Sequence, residues 1–175
     1  AAVQCWEAAG AVQAHPYLAA KGVQAHGLRA EAGIQAGAVG LLLVPLRDAD
    51  GVLHSLQTIS ASGHKLFLAG GRTRGCYHSV GKPRPALPLV VAEGYATAAS
   101  IHAATGLAVA VAFSASNLAP VAWALRRKYP AHALVLAADD DFATEGNPGL
   151  TSARQAALAV GGAVLAPLFP AVRDG

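Results

Sequence analysis

Ala133-Leu134-Val135-Leu136-Ala137-Ala138-Asp139-Asp140-Asp141 is an apolar run that ends abruptly in three carboxylates. Six apolar residues with no polar alternation suit a strand buried on both faces, and such strands belong to parallel sheets covered by helices. Similar runs recur on either side: Leu89 to Ala92, Leu107 to Phe113 and Ala163 to Ala166 read as further strands. Helices fit between them. Tyr95 to Ala104 is closed by Gly106, Leu118 to Tyr129 has Ser116 or Asn117 as its N-cap, and Thr151 to Val160 ends at Gly161-Gly162. Right-handed crossovers then bring the carboxyl ends of the strands to one edge, where ligands bind in such sheets.

Upstream the pattern differs. Ala11 to Lys21 is alanine-rich and stops at Gly22, which predicts a helix. Val39 to Leu46 and Val52 to Ser60 read as a hairpin around Asp48-Ala49-Asp50-Gly51. Ala61-Ser62-Gly63 turns into His64 to Leu68, and Gly70-Gly71-Arg72-Thr73-Arg74-Gly75 leads to a short strand at Cys76 to Val80. Pro83, Pro85 and Pro88 make a stiff connector. The expected architecture is α/β. A smaller mixed α+β subdomain with antiparallel hairpins (residues 1–86) precedes a parallel sheet sandwiched by helices (residues 87–175).

Composition narrows the function classes. The chain is 54% hydrophobic and 13% charged, but its longest apolar runs are far too short to span a bilayer, so no membrane partner is expected. No charged-then-apolar leader opens it, and a cytoplasmic location follows as the expectation. Cys5 and Cys76 are isolated thiols, and the seven histidines form no HxxxH or HExxH motif, which disfavours disulfide and zinc scaffolds. The lack of methionine suggests a piece of a longer protein. Trp6 and Trp123 read as core or interface aromatics, and Arg126-Arg127-Lys128 as cations suited to a helix end. Ser114 and Ser116, at the end of a strand, read as loop or capping residues ahead of nucleotide contacts.

Charge is concentrated. Three of only ten acidic residues stand together at 139–141, and such stacking costs Coulomb energy unless solvent or a cation takes it up. A second strand, Leu89-Val90-Val91-Ala92, ends in Glu93-Gly94. Taken singly, Glu93 is a helix-start carboxylate and the triplet a solvated loop or cap. At equivalent strand ends, Glu93, Asp139 and Asp141 make a hard oxygen site suited to magnesium or manganese, with Asp140 facing solvent or supporting the others. Lys65, Arg72, Arg74, Lys82 and Arg84 form a basic block with no acid between them, which reads as a solvated face or a phosphate-binding surface.

These residues resemble a family. Glu93-Gly94 after an apolar strand, Asp139-x-Asp141 after another, and Asn147-Pro148-Gly149 with Ala153, Ala156 and Ala157 are similar to the Toprim domain of bacterial-type primases, type IA and type II topoisomerases and certain nucleases. The resemblance covers roughly residues 87 to 169. Leu43 to Gly51, Gln57-Thr58-Ile59, Lys65 to Gly71 and Gly75-Cys76-Tyr77, with His15 to Gly22, look like the segment that precedes Toprim in phage and conjugative-plasmid primases.

The resemblance implies a DNA primase catalytic core that makes short RNA primers on single-stranded DNA from ribonucleoside triphosphates. It implies two Mg2+ or Mn2+ ions at Glu93, Asp139 and Asp141, nucleotide or template contacts from Lys65, Arg72, Arg74, Lys82 and Arg84, and a replicative helicase in the same or another chain as partner. A Toprim nuclease and a non-catalytic nucleic-acid-binding module are the alternatives.

Overall fold

A computed structural model describes residues 1–12, 14–33, 39–139 and 144–167. Five antiparallel strands form the first sheet in sequence order: β1 (Gly10–Ala11), β2 (Arg29–Ala30), β3 (Leu42–Arg47), β4 (Leu53–Ile59) and β5 (Lys65–Phe67). Helix α1 (Ala2–Ala8) packs on this sheet, and α2 (Pro16–Lys21) lies between β1 and β2 in the chain. The second sheet has the order β10-β9-β7-β8-β6. Its strands are β6 (His78–Val80), β7 (Leu89–Ala92), β8 (Ala108–Val111), β9 (Leu134–Ala137) and β10 (Ala163–Leu165), connected after β7, β8 and β9 by α3 (Tyr95–Thr105), α4 (Ala115–Lys128) and α5 (Pro148–Val160).

The unbroken apolar strands are buried on both faces, as their composition requires. Val90, Ala92, Val109 and Val111 join Tyr95, Ala98 and Ala99 of α3 and Leu42, Val44, Leu46 and Ile59 of the first sheet in one core. The intervening residues Leu89, Val91, Ala108 and Ala110 pack with Leu118, Val121, Ala122 and Leu125 of α4 and Ala153, Ala156 and Ala157 of α5 in another. The small α5 residues let that helix lie close to α4.

Four sequence expectations change. The alanine-rich segment is not one helix: Gly10–Ala11 pairs with Arg29–Ala30, and α2 begins only at Pro16. Proline disfavours a helical residue before it but suits the first helical position, and the His15 ring accepts a hydrogen bond from the Tyr17 N–H at 3.3 Å as cap. The short strand before the proline connector joins the second sheet, with His78 opposite Val111. The N-cap of α4 is Ser114, while Asn117 is buried. Of the two readings of Trp123, core or interface, its 50% exposure removes the core one.

Trp6 lies under two guanidinium groups, 4.7 Å from Arg29 and 5.7 Å from Arg47. Arg126 donates from Nε to Val160 O at 3.0 Å and from Nη1 to His132 O at 2.8 Å, so it ties α4 to the end of α5. Cys5 and Cys76 are free thiols. Among the described residues no helix is long and apolar enough to cross a membrane.

Buried His78, 2.7 Å from His26 O through Nε2, carries a pH dependence. Desolvation lowers its pKa from 6.5 to about 4, so the folded chain holds it neutral where the unfolded chain protonates it. Stability is therefore full above pH ~6.5 and declines as pH falls toward 4, by roughly 3 kcal/mol in all. Urea denaturation at several pH values should show that loss in the native chain and a flatter profile in His78→Gln. Equal profiles would assign the acid sensitivity elsewhere.

Candidate active site

β7 and β9 are neighbours and parallel, with Ala92 opposite Ala137. Glu93 is the next residue after β7 and Asp139 the second after β9, so both carboxylates emerge on the carboxyl edge of adjacent strands. Both residues are half-buried. The ladder continues past the strand ends: Ala112 N donates to Ala92 O and Phe113 N to Glu93 O, each at 2.8 Å, while Ala138 N donates to Leu165 O at 2.8 Å. Neighbouring backbone thus holds the exits of both strands, which positions the side chains more firmly than a loop would. Asp140 and Asp141 lie outside the described residues.

Lys65 opens β5 opposite Ile59 and places its ammonium 5.8 Å from the Tyr17 ring centre. Its side chain is exposed by area, but crowding around the ammonium lowers its pKa, as does the repulsion of Lys21; Asp139 and Glu93 pull in the opposite direction. One cation therefore feels both strand-end carboxylates. That pull links Lys65 of the first sheet electrostatically to the acidic edge of the second.

The rest of the basic block is dispersed. Arg72 donates from Nη2 to Asp48 Oδ2 at 3.1 Å, and the same oxygen lies 2.6 Å from His54 Nε2. The His54 hydrogen bond is the main reason the Asp48 pKa falls to about 2, against some desolvation and with help from the Val52 and Asp50 N–H groups. Asp48 precedes β4 and Lys65 faces its far end, so a strand length of roughly 20 Å separates these cations. Arg84 donates from Nη2 to Gly106 O at 3.0 Å, before β8 begins and thus at the edge opposite Glu93. Lys82 is exposed just beyond β6, next to the strand end that pairs with Val109.

Arg74 is exposed on a loop that Asn117 clamps to the carboxyl end of β8. Asn117 Oδ1 accepts from Gly75 N at 2.8 Å, and its Nδ2 donates to Ala112 O at 2.8 Å, Cys76 O at 3.1 Å and Thr73 O at 3.2 Å. The sequence offers this residue, or Ser116, only as a helix cap. Its one usable signal is a polar amide among the apolar residues of α4.

Phe113, also missed, has φ 73°, a left-handed conformation costly for a bulky residue. Its ring meets that of Phe67 edge-to-face at 6.2 Å. Ser114 and Ser116 are hydrogen-bonded to each other at 3.2 Å.

Glu93 and Asp139 offer hard oxygen donors with a cation alongside, a donor set that fits magnesium or manganese better than zinc. Among the described residues no three His, Cys, Asp or Glu side chains gather in a metal-holding group, and Asp141, the third member of the expected set, is not one of them.

The Toprim domain family matches residues 88–173. A DNA primase TraC of Escherichia coli is 45% identical over 133 residues, covering 72% of this chain and 12% of that protein. A second TraC of Escherichia coli is 42% identical over 133 residues, covering 72% and 9%. The chain thus spans only about a tenth of the length of these relatives.

Among solved structures, the primase fragment of the bacteriophage T7 primase-helicase protein superposes with a TM-score of 0.59 at 16% identity, covering 87% of this chain and 64% of that one. The DnaG catalytic core does so with 0.57 at 13%, covering 90% and 65%. At these identities the structural likeness is one of fold.

Proposed function

Since residues 88–173 of this chain match the Toprim domain family, we propose that the protein is a primase catalytic core, a nucleotidyltransferase that joins ribonucleotides on a single-stranded DNA template. The observation that carries this reading is the exit of Glu93 and Asp139 from the carboxyl ends of two adjacent parallel strands, and the pull of both carboxylates on the Lys65 ammonium of the other sheet supports it. In this reading residues 1–86 supply the cationic wall and residues 87–175 the acidic edge.

Glu93 and Asp139, with Asp141, would hold Mg2+ or Mn2+, which when bound supplies charge neutralisation at the triphosphate and acidifies the primer 3′-hydroxyl. The remaining work belongs to the chain. The two carboxylates fix the acidic edge, and their attraction keeps Lys65 charged against desolvation, so the ammonium can meet triphosphate oxygens. Asn117 holds the Thr73–Cys76 loop, with exposed Arg74, against β8, where a cation would contact phosphate and add salt dependence. Arg72 and Arg84 already serve Asp48 and Gly106, so their contribution is structural in the first place.

The test is incorporation of labelled ribonucleotides on a single-stranded DNA template with magnesium. Products of several nucleotides are expected. Degradation of labelled DNA with manganese and no nucleotides, together with no synthesis, would instead identify a Toprim nuclease. Binding of DNA with neither reaction would identify a non-catalytic module.

Lys65→Ala should raise the KM for ribonucleotides on the order of tenfold to a hundredfold, the worth of one or two lost charge-assisted hydrogen bonds. Lys65→Arg should restore part of it. Steady-state kinetics with the nucleotide varied would measure this, and an unchanged KM would remove Lys65 from the triphosphate site.

A further inference from the structure

Phe67 stands beside the acidic edge with nothing in the proposed chemistry to do. It is 43% exposed on β5, an edge strand that pairs, among the described residues, with β4 alone. Two residues after Lys65, it projects from the same face of that strand. Its ring is held edge-to-face at 6.2 Å by Phe113, whose own N–H is bonded to Glu93 O at 2.8 Å. Phe113 keeps this position at a φ of 73°, so the contact persists against backbone strain. An edge-on partner steadies an aromatic ring while leaving area on its faces, and a half-exposed ring beside a cation can take a flat π-system whose attached phosphate lies near that cation.

We propose that Phe67 is a stacking platform for a nucleobase, placed so that the phosphates attached to that base lie along Lys65 toward Glu93 and Asp139. The inference deepens the primase reading and rests on it for the identity of the reaction, though the stack itself can be observed without any reaction. The base comes from an incoming ribonucleotide or from the template strand. The chemistry of the platform is the same for both.

The experiment uses the whole chain with Phe67→Trp, titrated with ATP, inorganic tripolyphosphate, a short single-stranded deoxyoligonucleotide and its abasic counterpart, with magnesium present. Fluorescence is read against the native chain, whose Trp6 and Trp123 supply the background. Saturable quenching by ATP assigns the incoming nucleotide, and quenching by the base-bearing oligonucleotide alone assigns the template.

Tripolyphosphate and the abasic strand should not quench. Phe67→Leu, which keeps the apolar contact with Phe113 but lacks a π-face, should weaken binding of the quenching ligand about tenfold without changing the melting temperature. Absence of quenching by both base-bearing ligands, or equal quenching by tripolyphosphate or the abasic strand, overturns the proposal, as does unaltered affinity in Phe67→Leu. Quenching without primer synthesis would leave the platform standing and sink the primase reading. Synthesis with no quenching would do the reverse.

Discussion

On the proposed function, Glu93→Gln should lower primer synthesis by roughly a thousandfold or more while the chain stays folded. The substitution keeps the size of the side chain and its half-buried position at the end of β7. It removes one of the formal charges that would hold a divalent ion, and a metal acting on both attacking and leaving oxygens is worth several kcal/mol of barrier, or about three powers of ten in rate. Asp139→Asn should fall to a similar level, and the double variant hardly lower, since groups that act as a unit do not add.

The strand exit should keep its place, because the bond from Phe113 N–H is to the Glu93 backbone oxygen and survives the substitution. Initial rates on a single-stranded template, with melting curves alongside, check both statements. Near-native synthesis by either single variant would move the active site elsewhere.

Asn117→Ala gives the largest loss of stability, about 3–5 kcal/mol, because several buried groups lose their partner at once. The amide joins the Gly75 N–H and the carbonyls of Thr73, Cys76 and Ala112; truncation takes this partner from the Gly75 N–H and from the Cys76 and Ala112 carbonyls beside the fully buried Cys76, while Thr73 O keeps the Cys76 N–H at 3.0 Å. Asn117→Asp should be no better, since a carboxylate can accept from Gly75 but cannot donate to three carbonyls. Urea denaturation of the two variants measures this. A loss under about 1 kcal/mol in both would mean that water or a shifted loop replaces the amide. Arg74 rides on the same loop, so phosphate contacts there should loosen as well.

What was legible in the sequence was local or periodic. Leu89 to Ala92 needed only its unbroken apolar run, and Gly106 and Gly161 needed only their left-handed caps, at φ 68° and 61°. The acidic edge followed from Glu93 and Asp139 standing after two such strands.

Long-range pairing was less visible. Nothing in His78 to Val80 announces that it will pair with β8 and leave the hairpins behind. Ala11 to Ala14 leans toward helix by composition, but the pairing of Ala11 with β2 and the proline at 16 override it. Arg72 counted as one more cation in a block until Asp48, distant in sequence, claimed it. Phe113 hid its left-handed backbone inside an apolar run, because side-chain pattern carries no record of φ.

If the carboxyl edge of the second sheet is a divalent-metal site, anomalous diffraction from crystals soaked in manganese will show it most directly. A peak bridging the carboxylates of Glu93, Asp139 and Asp141, lost in Glu93→Gln, is the expected result. Manganese bound elsewhere, or none at that edge in well-ordered crystals at saturating concentration, would contradict it.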